Sequence, residues 1–460
     1  MLPSGASVAL PAAAALAVLI SQVTGLRPRP ATAVSVAVPM ESHMVRITQS
    51  EDPLIWIIAA VYVANVTVGS PPQHFRVIVD TGSVHLWLPA EDCDETPCLL
   101  HRHYSAQDSR SSKPTSGVRY STTFASGRMA GTPVRDRVCL VPGVCADMHF
   151  LVADEVSDFP FTNLPVDGIL GLGPYPPSDA VVSASALEFQ RQAGLGTFAV
   201  CLGELSQSRP GVGQVFFAKD ASELPLFRIA TGKVTWAPLA PESEDKGYWL
   251  LKVLSVRVGD RTILACASTP SADSAGCRAA VDTGSGSIMG PEAPVLSIQT
   301  AIGAKEDCSN VASLPPVHFE LQGAEGPFTL SMVAKDYVTE FDQLCSAEFW
   351  PLNMSKNDVW VLGQVAIRRH VSVYDLAERR VGFVRRVADS RCGVGREVQH
   401  QSHGADAAAA AAQVQGIGFT VAAEKRLPLE PGMRADGRRA PRMRRNSLRP
   451  DGTEADEVVV

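Results

Sequence analysis

The sequence carries the tetrapeptide Asp-Thr-Gly-Ser twice, in VIVDTGSVHLWLPA (77–90) and in AAVDTGSGSIMGP (279–291), with Asp80 and Asp282 separated by 202 residues. Each copy closes a β-rich run. Each is followed by an apolar patch with its own glycine, ILGLG at 169–173 and WVLG at 360–363. Self-similarity over a long period is the mark of a duplicated unit. Two related halves would then bring their acidic loops together across a pseudo-twofold axis. Paired carboxylates a few ångströms apart do not easily both ionise, so one holds a proton that the other lacks. Such a pair can activate a water as base and protonate a leaving group as acid.

The rest of the chain sets bounds on this reading. At 460 residues it exceeds what one hydrophobic core usually serves, so two domains plus appendages are expected. The net charge of −7 gives no basic surface for nucleic acid, and no nucleic-acid partner is expected. Residues 9–24, ALPAAAALAVLISQVT, are uncharged and apolar and end in small residues. This reads as a signal peptide over 1–25, with an uncleaved anchor as the alternative because the basic start is missing. No later stretch reaches the roughly 18 apolar residues that a spanning helix needs. Membrane contact is therefore expected only if the N-terminus stays uncleaved.

Short strand-like runs such as FRVIVD, VHLWLP, VWVLG and HVSVYD fill residues 55–390, cut by Gly, Pro, Asn and Asp. Helical periodicity is scarce, and SASALEFQRQAG (183–194) is its clearest case. The chain reads as all-β with a few short helices. Beyond Cys392 come six alanines at 407–412 and seven arginines between 434 and 449, a composition without apolar periodicity. Residues 393–460 are read as a disordered tail.

The two motifs and their flanks resemble the pepsin-like aspartic endopeptidases. The resemblance runs from Tyr62, in VYVANVTVGSPPQ, to about Val387. It takes in VIVDTGS, FASGRMAG, DGILGLG, GYWLLKVLSV, AAVDTGSGSIMGP and VLGQVAIRRHVSVYDLAERRVGF, in the family's order. It implies a bilobal acid-protease fold, with lobes read over 51–242 and 243–392. It also implies catalysis by Asp80 and Asp282 through a water held between them, with extended polypeptides as substrates, pepstatin-like inhibitors, an acidic optimum, a monomer and no cofactor. Gly82 and Gly284 leave room for a sharp turn and for close approach. Ser83 and Ser285 stand where they can hydrogen-bond the carboxylates. Thr81 and Thr283 are implied to brace one loop against the other.

The chain departs from the family at the flap, FASGRMAG, where Phe124 stands in place of the usual tyrosine and Ala125 in place of a common glycine, ahead of Ser126. Phenylalanine keeps an apolar lid but has no hydroxyl for the indole N–H of Trp87. Tyr120, four residues earlier on the same strand face, is not expected to replace that tether. This departure motivates the alternative of a non-catalytic peptide-binding homologue.

Ten cysteines and two sequons, Asn65-Val-Thr67 and Asn353-Met-Ser355, suit the secretory pathway and an extracellular or acidic lumenal destination. By the family pattern Cys93–Cys98, Cys266–Cys277 and Cys308–Cys345 pair, and Cys139–Cys145 adds a fourth bridge. Cys201 then reads as a buried free thiol and Cys392 as a partner for another chain. No Cys/His cluster has metal-ligand spacing, so no metal is expected. Residues 26–50 read as a short prosegment-like stretch with Arg27, Arg29 and Arg46 but no lysine, ahead of a mature start near EDPL (51–54).

Overall fold

A computed structural model describes residues 35–48, 56–115, 118–124, 127–176, 183–205, 211–266, 277–341, 343–352, 359–387 and 392. The signal region, Ala125, Ser126, Asn353 and the 393–460 tail lie outside these residues. The fold is all-β, bilobal and pepsin-like.

The large sheet begins with Ala230–Pro238 and the two C-terminal strands, Arg380–Arg386 and His370–Asp375. It continues through Thr197–Cys201, Gly211–Ala218, Val36–Thr48, Trp56–Val68, Gln73–Asp80 and Gly168–Gly171. It ends in Leu86–Pro89, Val144–Val156, Gly127–Val141 and Lys113–Pro114, with Tyr120–Phe124 paired to Gly127–Val141. A second sheet runs Gly326–Met332, Val317–Gly323, Leu250–Val258, Arg278–Val281, Val359–Leu362, Ile288–Gly290, Phe349–Pro351. Residues 370–386, from the far side of the 242/243 boundary drawn on sequence, therefore belong to the sheet of the first half.

Each half repeats one arrangement. Gln73–Asp80 lies parallel to Gly168–Gly171, which is antiparallel to Leu86–Pro89. Arg278–Val281 lies parallel to Val359–Leu362, which is antiparallel to Ile288–Gly290. Parallel neighbours buried on both faces call for continuous apolar runs, and ILGLG and WVLG supply them. The duplication is thus visible in strand order as well as in sequence.

The segment read as prosegment-like contributes a strand to the centre of the large sheet. Val36–Thr48 pairs with Gly211–Ala218 from Val36↔Phe217 to Ser42↔Gly211, and with Trp56–Val68 from Met40↔Ala64 to Thr48↔Trp56. Alternation explains its face: Val38, Met40 and Ser42 are buried while Ala37, Pro39 and Glu41 are exposed. In the strand order it is the link between the C-terminal strands and the rest of the first lobe.

Helices are short. Ser185–Ala193 forms within the stretch where periodicity placed one, with Ala186 and Phe189 buried. It stops at Gly194, whose φ of 69° is a left-handed cap open to glycine, and the Gly194 N–H donates to the Gln190 and Phe189 carbonyls. Where the lobes join, Phe198 stacks on Tyr374 at 4.7 Å and Trp249 meets both rings edge-on at 5.9 and 5.1 Å. All three are fully buried, and Phe198 contributes about 1.5–3 kcal/mol by leaving water.

Five disulfides are present: Cys93–Cys98, Cys139–Cys145, Cys266–Cys277, Cys308–Cys345 and Cys201–Cys392. The last corrects the reading of Cys201 as a free thiol and Cys392 as an intermolecular partner. The two are 191 residues apart in sequence, a separation at which spacing carries no signal. Only the fold brings them together, beside Val371 and Val384 in a small apolar cluster. Asn65 is exposed on the Trp56–Val68 strand.

A chain beginning at residue 51 lacks the Val36–Thr48 strand, whereas one beginning at residue 35 keeps it. The shorter chain is expected to fail to recover native near-UV circular dichroism on refolding while the longer one recovers it. Equal recovery would show the strand to be dispensable.

Candidate active site

Both acidic loops begin where a buried strand ends. Val77 and Val79 fill the core from the strand that delivers Asp80, and Ala279 and Val281 do so from the strand that delivers Asp282. Each loop is stitched to its apolar-Gly partner. Leu172 N donates to Asp80 O at 2.6 Å and Gly173 N to Ser83 O at 2.7 Å. In the second half Asp282 N donates to Leu362 O at 3.1 Å and Gln364 N to Ser285 O at 2.8 Å.

The loops then lock to one another. Thr81 N donates to Thr283 Oγ1 (3.1 Å) and Thr283 N to Thr81 Oγ1 (3.0 Å). The same hydroxyls donate onward, Thr81 Oγ1 to Val281 O (2.8 Å) and Thr283 Oγ1 to Val79 O (2.7 Å). Thr81 and Thr283 are completely buried, so each hydroxyl is used fully as donor and acceptor.

This lock sets the carboxyls face to face. Gly82 N donates to Asp80 Oδ1 at 2.8 Å and Ser83 Oγ to Oδ2 at 2.5 Å. Gly284 N donates to Asp282 Oδ1 at 2.7 Å and Ser285 Oγ to Oδ2 at 2.6 Å. A Cβ on Gly82 would fall on the Asp282 carboxyl, and one on Gly284 would fall on that of Asp80. The glycines therefore make room for the opposite aspartate.

Asp80 and Asp282 are 6% and 9% exposed. Burial, then the neighbouring Asp282 charge, hold the Asp80 carboxyl well above the usual carboxylate range, against the opposing pull of the Ser83 and Gly82 hydrogen bonds. Tyr248 and Tyr374 are pushed up too, first by burial and further by the charges of both aspartates. The site is a pair of close, buried carboxyls that together are disposed to keep a proton.

The hairpin of Tyr120–Phe124 and Gly127–Val141 carries the flap sequence. Phe124 does not turn to Trp87; its ring meets Phe161 edge-on at 5.9 Å. The buried Tyr120 ring is the one beside Trp87, at 6.2 Å, and it meets His85 edge-on at 5.4 Å. Tyr120, set aside on sequence, thus supplies the aromatic packing on Trp87. Arg119, just ahead of it, pairs with Asp154 at 2.7 Å and Glu155 at 2.6 Å, and Glu155 also holds Arg128 at 3.2 Å.

Gln364 escaped the sequence reading. Its side chain is fully buried, and Nε2 donates to Ala60 O (2.9 Å) and Thr283 O (3.0 Å). The signal for it was present, since Gln364 in VLGQV occupies the position that Leu172 holds in ILGLG.

Two acid loops related by duplication, cross-braced and facing each other in an all-β frame, define a pepsin-like acid protease. The profile of the family described as eukaryotic aspartyl protease matches residues 61–386. Pepsin II-1 of Oryctolagus cuniculus is 31% identical over 337 residues, 70% of this chain and 80% of that protein. Pepsin A of Bos taurus is 31% identical over 348 residues (73% and 86%), and gastricsin of Macaca fuscata fuscata 29% over 355 residues (74% and 88%). The chain belongs to the eukaryotic aspartyl protease family. It is an aspartic endopeptidase that acts on peptide substrates.

A carboxyl whose folded pKa is raised binds its proton more tightly when folded than when unfolded. Its stabilising contribution is complete at low pH and is lost as pH rises through the raised value. Asp80→Asn removes that titration while keeping an acceptor for Gly82 N. The melting temperature of the variant is expected to exceed that of wild type by more at about pH 7 than at about pH 4. An equal difference at both would mean that Asp80 carries no strained charge.

Proposed function

We propose that Asp80 and Asp282 are the catalytic pair and share one proton while holding a water between them. The observation that carries this is the mutual approach of two buried carboxyls with Asp80 held above its normal range. Carboxyl pairs of aspartic proteases are the best-known instance of this coupling. The ionised partner takes a proton from the water as it attacks the scissile carbonyl, and the protonated partner hydrogen-bonds the carbonyl oxygen. The proton then passes to the leaving nitrogen. The pair titrates as a unit, so no single value belongs to either residue during turnover.

Thr81, Gly82, Ser83, Thr283, Gly284 and Ser285 orient the carboxyls, and the 120–131 hairpin with Trp87 and Phe124 covers the substrate. An extended peptide laid under that hairpin is aligned and shielded from solvent, which lowers the barrier through positioning. The chain acts as a monomer at acidic pH, in the secretory pathway or outside the cell, and is inhibited by pepstatin-like compounds. Among the described residues no helix is long and apolar enough to cross a membrane. The non-catalytic alternative rested on Phe124 alone. Against it, every group that orients the two carboxyls is in place, and Tyr120 packs where the flap aromatic was missed.

Activity on acid-denatured globin tests the pair, using protein that retains residues from 35 onward. Asp80→Asn and Asp282→Asn are each expected to lower kcat by at least about 10³-fold, within the range that positioned acid–base groups contribute. Near-normal turnover in either variant would refute the assignment. Activity is expected to decline as pH rises through the value at which the shared proton is lost. Phe124→Tyr is expected to change kcat/KM by less than about threefold, because the ring at 124 packs on Phe161 and Trp87 already has an aromatic neighbour. A much larger gain in a kinetic comparison would show that the lost hydroxyl limits this enzyme.

A further inference from the structure

The two halves present equivalent positions after their apolar-Gly strands, and one is filled by Leu172, the other by Gln364. Both side chains are buried, Leu172 and Gln364 each at 0% exposure. A buried amide costs free energy unless its hydrogen bonds are made, so its presence where the twin position accepts leucine calls for a partner that leucine cannot serve. Gln364 has two. Its Nε2 donates to the Ala60 carbonyl at 2.9 Å and to the Thr283 carbonyl at 3.0 Å. Both acceptors are main-chain oxygens, so only the amide's NH₂ end satisfies them.

The two acceptors belong to different parts of the machine. Thr283 follows Asp282 and forms half of the cross-brace. Ala60 lies in the Trp56–Val68 strand at the centre of the large sheet, opposite Met44 of the Val36–Thr48 strand. Gln364 is itself fixed by its own main chain, donating from N to Ser285 O at 2.8 Å, and Val365 N reaches Gly286 O at 3.2 Å. One side chain thus ties the Asp282 loop to the first lobe's sheet through bonds separate from those of the two threonine hydroxyls.

We propose that Gln364 is a positioning residue that sets the Asp282 carboxyl against Asp80 by anchoring the Thr283 peptide to the Ala60 strand. This rests on the catalytic pair assigned above. The amide is also neutral over the whole pH range, so it steers the loop without adding a charge beside a pair that must keep one proton. A carboxyl in its place can donate one hydrogen bond while protonated and none once ionised.

The test uses Gln364→Met, Gln364→Glu, Asp80→Asn and wild type, all disulfide-bonded and beginning at residue 35, with active sites counted by pepstatin titration. Per titrated site, Gln364→Met is expected to lower kcat on the order of 10- to 100-fold with KM changed less than about threefold, the pattern of a misplaced reacting group. Gln364→Glu is expected to recover most of the activity at the acid end of the profile and to lose it relative to wild type as pH rises. A merely structural role would lower the number of titratable sites and leave kcat per site and the pH profile unchanged. That result overturns the proposal, as does a Gln364→Glu to wild-type ratio that stays flat with pH. Should Gln364→Met yield no folded protein, the flat or falling ratio of Gln364→Glu decides. Asp80→Asn separates the two levels: if it too retains full turnover, the catalytic-pair assignment fails, whereas an inactive Asp80→Asn beside a fully active Gln364→Met refutes only the role of Gln364.

Discussion

The reciprocal bond between Thr81 and Thr283 is the contact on which the rest of this enzyme depends. Each threonine takes the other's main-chain N–H and passes its own proton to a carbonyl on the far strand, Val281 O or Val79 O. A hydrogen bond of this kind adds only about 0.5–1.5 kcal/mol net, yet a buried group left without its partner costs about 1–3 kcal/mol. The brace therefore matters less as a source of stability than as a constraint. Any relative shift of the two loops strands four buried groups together, so the separation of the carboxyls is held more stiffly than the individual bonds suggest. Two acids that repel each other when both ionise need such a constraint.

The large sheet extends the same constraint outward. His370–Asp375 pairs with Thr197–Cys201, and the Val36–Thr48 strand joins that block, through Gly211–Ala218, to Trp56–Val68, the neighbour of the Gln73–Asp80 strand. The Cys201–Cys392 bridge ties the chain beyond the last strand to the same block. Removing Val36–Thr48 would expose two strand edges at once, and only the seven residues 49–55 separate it from Trp56–Val68. A chain starting at residue 51 keeps only five residues, 51–55, ahead of that strand, too few to turn and refill a strand of 13.

Much of this was legible beforehand because it is written in local pattern. The duplicated Asp-Thr-Gly-Ser, the apolar-Gly patches and the alternating runs each report a short-range physical need: a tight acidic turn, a doubly buried strand, a half-buried strand. What escaped was long-range. Cys201 and Cys392 meet only after the sheet has formed, and the central place of Val36–Thr48 is a matter of pairing rather than composition. Tyr120 was identified as sharing a face with Phe124 but was not credited with reaching Trp87, because alternation fixes the face of a side chain and not its neighbour.

Symmetry explains where the remaining chemistry sits. A twofold pair of loops gives two equivalent acids, but sharing one proton is easier when their surroundings differ. The duplication is broken in the places that touch the dyad. The flap hairpin belongs to the first half, with Tyr120 packed on Trp87 and His85. The patch after the first loop ends in Leu172, whose carbonyl accepts from Trp249 Nε1 at 2.9 Å, while the patch after the second offers the Gln364 amide to two main-chain oxygens. The position after the first patch is thus apolar and the one after the second polar. Burial and the neighbouring carboxyl together favour the protonated form of Asp80. The geometry is symmetric where the threonine brace keeps the two carboxyls together, and asymmetric in the side chains that follow the two apolar-Gly patches.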